Sequence, residues 1–313
     1  MTAVVRAAVA RALRADYRGL WFAAGRSTLA LATASELIFT HPAALFTRVG
    51  PVRGPLCAPH SASLFCLGQP HDYLDARRWI AIAALLLVAS GYKPRLTAIV
   101  HLWIVFSVST TITLPDGGDA IALIVVLLIT PMCLADPRRW QWSAVRTRMT
   151  PTGRALAYLS FWALRLQIAY LYADSAIAKM GVADWQNGSA FYYFVRDKMF
   201  GSAGVTAPLW LWLSNHTVTT LAVTWGTIML ELAIALFTLL DARWRMIAFW
   251  LCAVLHTLIF LSMGLCSFSL VMIGAAALTA TCLIHPPRRP PHTRAPADRR
   301  DPAAGRTIEA SGR

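Results

Sequence analysis

The sequence predicts an all-α, polytopic bundle of about eight transmembrane helices, with an aromatic-rich re-entrant or interfacial segment on one side. Three observations carry that expectation. The 313 residues are 57% hydrophobic and only 14% charged, against about 25% charged in soluble domains. The mean hydropathy is +0.53. Long apolar runs alternate with short loops in which arginine clusters, the charge pattern of cytoplasmic loops. The net charge of +14 therefore needs no nucleic-acid partner, and no nucleic-acid-binding motif is present.

A helix needs about 20 mostly apolar residues to cross a bilayer. Candidate spans lie at roughly 20–40, 79–92, 96–114, 118–135, 155–178, 218–240, 246–264 and 267–285. The second is short. The last two are divided only by residues 264–267, so one kinked helix is the alternative there. Loop charge sets the orientation. Arg6, Arg11, Arg14 and Arg18 precede the first span, Lys93 and Arg95 follow the second, and Arg138, Arg139, Arg146, Arg148 and Arg154 follow the fourth. Arg243 and Arg245 follow the sixth, and Arg288, Arg289, Arg294, Arg299 and Arg300 the eighth. With eight spans, all fall on one side, which the positive-inside rule makes cytoplasmic. Both termini are then cytoplasmic, in the lipid bilayer of a bacterial cytoplasmic membrane; the Ala- and Arg-rich composition suits a bacterial genome. The exception is the first outer loop, where Arg48, Arg53, Arg77 and Arg78 face only Asp72 and Asp75. The organisation expected is a basic cytoplasmic arm (1–19), a transmembrane domain (20–285) and a Pro- and Arg-rich tail (286–313) whose composition predicts disorder.

Two outer loops are long. The first, about 41–78, holds Cys57 and Cys66. An oxidising compartment favours a disulfide; two unpaired thiols are the alternative. No CxxC or HExxH pattern occurs, so no metal site is expected. The second, about 179–216, carries Trp185, Phe191, Tyr192, Tyr193, Phe194, Phe200, Trp210 and Trp212. Such rings favour the lipid–water boundary.

Ionisable residues inside a bilayer are functional candidates by default. Here they are Arg26 and Glu36, His101, Arg165 and Asp174, Lys179, Glu231, and His256. Arg165, Tyr172 and Lys179 recur every seven residues, with Ser175 between, and so share a helix face. A buried Arg165–Glu231 pair that fixes helix packing is the structural alternative to a functional role. Lys179 is one of three lysines, with Lys93 and Lys198, in a chain that otherwise uses arginine. A desolvated ammonium can lose its proton where a guanidinium cannot, so Lys179 is a candidate general base. The alternative is a lysine that reaches to the interface from its helix end. His101 and His256 are candidate hydrogen-bond or proton partners, or else hydrogen-bonded core histidines. Asp116-Gly117-Gly118-Asp119 reads as a tight turn into the fourth span.

The run from Tyr170 to Tyr193, YLYADSAIAKMGVADWQNGSAFYY, resembles a motif of the HTTM superfamily: a helix ending in Lys, then Trp, then Asn-Gly. That superfamily contains the vitamin K-dependent γ-carboxylases and the sporulation-delaying protein B (SdpB) family. GRSTLA at 25–30, the Cys57…Cys66 loop, DGGD at 116–119, DPRRW at 136–140 and MGLCSFS at 263–269 are similar to the SdpB branch. For SdpB-like proteins the resemblance implies maturation or export of a secreted peptide toxin, with a small partner protein. For γ-carboxylases it implies that the lysine matching Lys179 deprotonates reduced vitamin K, for which reduced menaquinone is the bacterial counterpart. The interval between Lys and Trp is one residue longer here than in the animal enzymes, and the large lumenal region that binds their substrates has no counterpart. The candidate catalytic residues are then Lys179, His101 and His256. Arg165, Tyr172, Trp185, Asn187, Gly188, Tyr192, Glu231 and Asp119 are expected to shape the site. A non-enzymatic maturation or export factor is the second reading, and a small-solute transporter with Arg165 and Glu231 in its path the third.

Topology is directly testable. Reporter fusions at Arg146 and Gln186 are expected to report opposite sides of the membrane; the same side for both would exclude the eight-span arrangement.

Overall fold

The computed structural model describes residues 16–281 except 50, 58–61, 69–71, 114 and 147–148, together with residues 6 and 10. The Pro-rich tail, Cys282, Arg148 and most of the basic arm lie outside the described residues. The eight predicted apolar segments all appear as helices: α1 (Leu20–Phe39), α2 (Leu74–Ser90), α3 (Pro94–Thr111), α4 (Gly117–Leu134), α5 (Pro151–Met180), α6 (Thr217–Leu239), α7 (Ala242–Met263) and α8 (Cys266–Thr279). By length and apolar composition, α4, α6 and α7 can cross a membrane. Leu31, Leu127, Leu166, Leu236, Trp250 and Leu258 stand exposed on the outside of the bundle. So much outward apolar surface suits lipid and not water.

Local chemistry sets the helix ends. Asp116 accepts from the backbone N–H groups of Gly118 and Asp119, and Asp119 reciprocates toward the N–H of Asp116, a capping box that starts α4. Thr150 caps α5, with Pro151 at its first position, and Asp241 caps α7. Gly264 takes φ 75° and closes α7 with its N–H on Phe260 O. Two helices therefore stand where one kinked helix was the alternative. They pack antiparallel: Arg245 meets Thr279, Cys252 meets Met272, and His256 meets Phe268.

The short second span also has a physical explanation. α2 begins at Leu74, ahead of the apolar run, because its arginines find acceptors inside the protein. Arg77 donates to the carbonyls of Phe65 and Leu67. Arg78 donates to Leu37 O and Thr40 O at the end of α1 and pairs with Asp75 at 2.9 Å. Two of the basic residues that sat poorly with the loop-charge rule, Arg77 and Arg78, are thus used as a loop anchor and a helix cap. In the same loop Cys57 and Cys66 form a disulfide with Cα atoms 5.5 Å apart. Leu64 and Phe65 are buried against the bundle, where Leu64 N–H donates to Ser107 Oγ.

Each helix packs on the next, and α8 closes back on α1. α8 also crosses the middle to touch α4 and α5, which pinches the ring into two lobes. The α1–α8 contact depends on glycine. A Cβ on Gly25 would stand 2.8 Å from Gly274 O, and one on Gly274 would stand 3.1 Å from Gly25 O. Small residues that let two backbones approach are the main packing device where apolar burial gives no preference for protein over lipid.

Replacing Gly274 by Leu should force α1 and α8 apart and cost about 1–3 kcal/mol. Thermal unfolding of the detergent-solubilised protein measures this; an unchanged midpoint would show that the close approach is not needed.

Candidate functional site

The lobe formed by α5–α8 holds an open-sided cavity of about 380 Å³. One helix wall carries Tyr172, Ser175 and Lys179 from α5, and Glu231 faces them from α6. Leu255 and His256 come from α7, and Phe268 and Met272 from α8. The chain between α5 and α6 closes the remaining side through short helices at Ala183–Gln186, Ala190–Phe194 and Ala207–Ser214. Trp185, Phe191, Phe194 and Trp210 supply that roof. The aromatic segment dips into the bundle, since Phe191 N–H donates to Thr224 Oγ1 of α6 and Trp210 Nε1 to Leu261 O of α7.

Lys179 turns back into the bundle from its helix end. Its Nζ donates to Ser175 Oγ at 2.6 Å and to Glu231 Oε1 and Oε2 at 2.8 and 2.9 Å. Ser175 Oγ donates to Glu231 Oε1 in turn. The Trp185 ring lies 5.2 Å from Nζ. Lysine, serine and glutamate thus saturate one another across α5 and α6. Glu231 lies about 21 Å along α6 from its Thr217 end and about 12 Å from its Leu239 end at the usual helical rise, so the pair sits inside the span of α6. A charge pair so placed must satisfy itself within the protein.

A second polar chain flanks the first. Tyr172 OH lies 2.9 Å from His256 Nε2 and 3.0 Å from Cys252 Sγ. His256 is 3% exposed, and its Nδ1 has no partner among the described residues. His256 also lines the cavity, and its unpartnered nitrogen is a buried polar atom with unused hydrogen-bonding capacity.

A family assignment follows from comparison of the whole chain. Residues 79–282 match the HTTM domain. The chain belongs to the HTTM family. It is 33% identical over 279 residues to YitO of Bacillus subtilis (strain 168), itself uncharacterized, covering 86% of this chain and 88% of that one. It is 28% identical over 259 residues to the sporulation-delaying protein SdpB of the same organism, covering 81% and 79%. No solved structure matches the chain.

The HTTM motif residues have separable physical jobs. Lys179 and Trp185 face the cavity. Asn187 Oδ1 accepts from both the N–H and the hydroxyl of Ser189, turning the chain after the tryptophan. Gly188 has φ 83°, and a Cβ there would stand 2.3 Å from Leu221 Cδ1 of α6. Tyr192 points away from the cavity and packs under Arg196, 3.7 Å from its ring centre.

Three expected groupings are redrawn. Arg165 does not pair with Glu231: it donates to Thr238 O and Leu240 O, capping the end of α6. His101 does not reach Lys179. It is buried in the other lobe, one turn from Thr97, which holds the fully buried Arg26 together with Gln141. Asp119 belongs to the α4 cap. Asp174 faces outward, on the stripe of Leu166, Tyr170 and Ile177. Sequence reasoning missed Cys252; its signal is the i, i+4 spacing from His256, which puts both on one face of α7.

Gly188→Ala combines a disfavoured φ with a side-chain clash, and should cost about 1–3 kcal/mol. The expected result is a lowered unfolding midpoint in detergent with helix content retained. A midpoint equal to wild type would remove the positive-φ argument.

Proposed function

We propose that this HTTM protein matures or modifies a secreted, toxin-like peptide at the non-cytoplasmic face of a bacterial membrane, with the Lys179–Glu231 pair as its acid–base centre. Under this reading the eight helices all cross, both termini are cytoplasmic, and the disulfide loop and aromatic segment lie outside. The observation that carries it is a lysine bonded to a carboxylate and a serine inside an apolar cavity, beside the Tyr172–His256 contact. The resemblance to the SdpB family supplies the peptide, and with it the small partner protein.

The pair can work as a unit. In a water-poor site two separated charges cost more than two neutral groups. A proton passed from Nζ to Glu231, over 2.8 Å, leaves a neutral amine as base and a carboxylic acid beside it. Ser175 holds the amine in place through either state. Arginine could keep the charge but not give up the proton.

The cavity also fits a reduced menaquinone. Its rings and aliphatic side chains suit an apolar head and tail, and Ser175 and His256 are among the polar groups of its lining. When bound, such a quinol would supply an ionisable hydroxyl and a ring that dioxygen oxidises. Tyr172 would orient His256, Lys179 would receive the hydroxyl proton, and the Trp185 roof would keep water out.

A non-enzymatic maturation or export factor is favoured by the same ion pair read differently, as a clamp between α5 and α6. The two readings separate on Lys179→Arg. With the precursor peptide of its own locus co-expressed, Lys179→Ala, Lys179→Arg and Glu231→Gln are each expected to abolish production of the mature peptide, read by mass and activity, while membrane insertion persists. Normal maturation by Lys179→Arg would rule out the base and leave the clamp.

A further inference from the structure

On the far side of the roof lies a second cavity of about 320 Å³, open to the surface. It is lined by Trp185, Tyr193 and Phe194, by Val182 and Ala190, and by Asp184 and Asp197, of which Asp197 is exposed. Trp185 and Phe194 line both spaces, with ring centres 5.6 Å apart, so they form the partition between them. On one side of Trp185 stands the Lys179 ammonium; on the other stand two carboxylates.

The second cavity has the chemistry of a cation receptor. Aromatic faces attract ammonium and guanidinium groups through their quadrupole, and carboxylates add charge-assisted hydrogen bonds. No cationic side chain lines the space. Among the described residues neither carboxylate has an ion-pair partner. Arg196, next to Asp197 in the chain, is already engaged by Ser214, Asn215 and the Tyr192 ring. Asp197 is fixed by the N–H groups of Met199 and Phe200, which hold its carboxyl below the usual carboxylate range and so charged at neutral pH. In a chain of net charge +14, an acidic, ring-lined space is a local reversal of sign.

We infer that this second cavity binds an organic cation, and that its ligand is the side-chain amine or guanidinium of a peptide. A zwitterionic lipid headgroup offers the same ammonium, but its phosphate would meet no positive partner in this lining. A lysine or arginine side chain has no such surplus charge, and its aliphatic stem suits Val182 and Ala190. Seated there, it would bring the adjoining backbone to the Trp185–Phe194 partition, with Lys179 directly behind it. The inference deepens the proposed function by naming how a peptide is held. It is measured by binding without turnover, so a failed acid–base mechanism would leave it standing, and the reverse.

The test uses the full chain in dodecyl maltoside, which carries no cation. Isothermal titration calorimetry is run with acetyl-Gly-Lys-Gly-Lys-amide, with the same peptide bearing norleucine for lysine, and with glycerophosphoethanolamine. The lysine peptide is expected to bind and the norleucine peptide not to. Asp184→Asn with Asp197→Asn should weaken binding at least tenfold while keeping the Oδ1 acceptor that holds Met199 and Phe200. Asp184→Asn alone serves if the double variant does not fold. Tyr193→Leu, at a residue that lines the second cavity and not the first, should weaken binding several-fold. Equal binding of the lysine and norleucine peptides, or unchanged affinity in the aspartate variants, would overturn the cation site. Tighter binding of glycerophosphoethanolamine than of the lysine peptide would overturn the peptide as its ligand.

Discussion

A cation buried in the bundle must be answered within the protein, and this constraint organises the helices and their loops. The cations buried within the spans find three kinds of answer. Arg26 is fully buried and held by the neutral oxygens of Gln141 and Thr97. Arg165 and Arg245 spend their donors on carbonyls at the ends of α6 and α8. Lys179 alone among these is answered by a carboxylate. The arginines thus tie helix ends and loops together, where a permanent charge with several donors is useful. The lysine stands in a cavity, bonded to the carboxylate that answers its charge.

The two lobes divide these tasks. In the lobe of α1–α4, Arg26, Gln141 and Ser27 stitch the loop after α4 to α1, and the disulfide loop folds down on α2 and α3. The close passage of Gly25 and Gly274 locks this lobe to α8. The other lobe is looser. Its helices spread around a cavity, and the aromatic segment fills the gap that they leave. Trp185 is the pivot of that arrangement: it stacks beside the Lys179 ammonium, walls the first cavity and forms one side of the second. The HTTM motif is therefore a compact device in which a lysine, its roof and the turn that aims the roof come from one short stretch of chain.

Sequence pattern and structure agree where the information is local. The eight apolar segments became helices because hydropathy, caps and the glycine at 264 act within a few residues of one another. The Lys179 motif was visible for the same reason, as were the helix face shared with Tyr172 and Ser175 and the turn at Asp116. Partners across helices were not legible. Arg165 and Glu231 looked like a pair because each is an ionisable group in a span, and nothing in a linear reading says that α5 presents Lys179 to Glu231 while Arg165 meets the end of the same helix. His101 and His256 looked equivalent, and only packing puts one beside Tyr172 and the other in the opposite lobe.

By itself, then, the amino-acid sequence determined a helical membrane protein, its apolar segments and the lysine-centred motif, because hydropathy, loop charge and capping are written in neighbouring residues. Only the tertiary structure decided that Glu231 is the counter-ion of Lys179, that Tyr172 and His256 stand beside them, and that Trp185 separates two cavities. Those contacts depend on the rotation and crossing of helices far apart in the chain, which are settled by how small residues and side chains interlock, not by any local pattern.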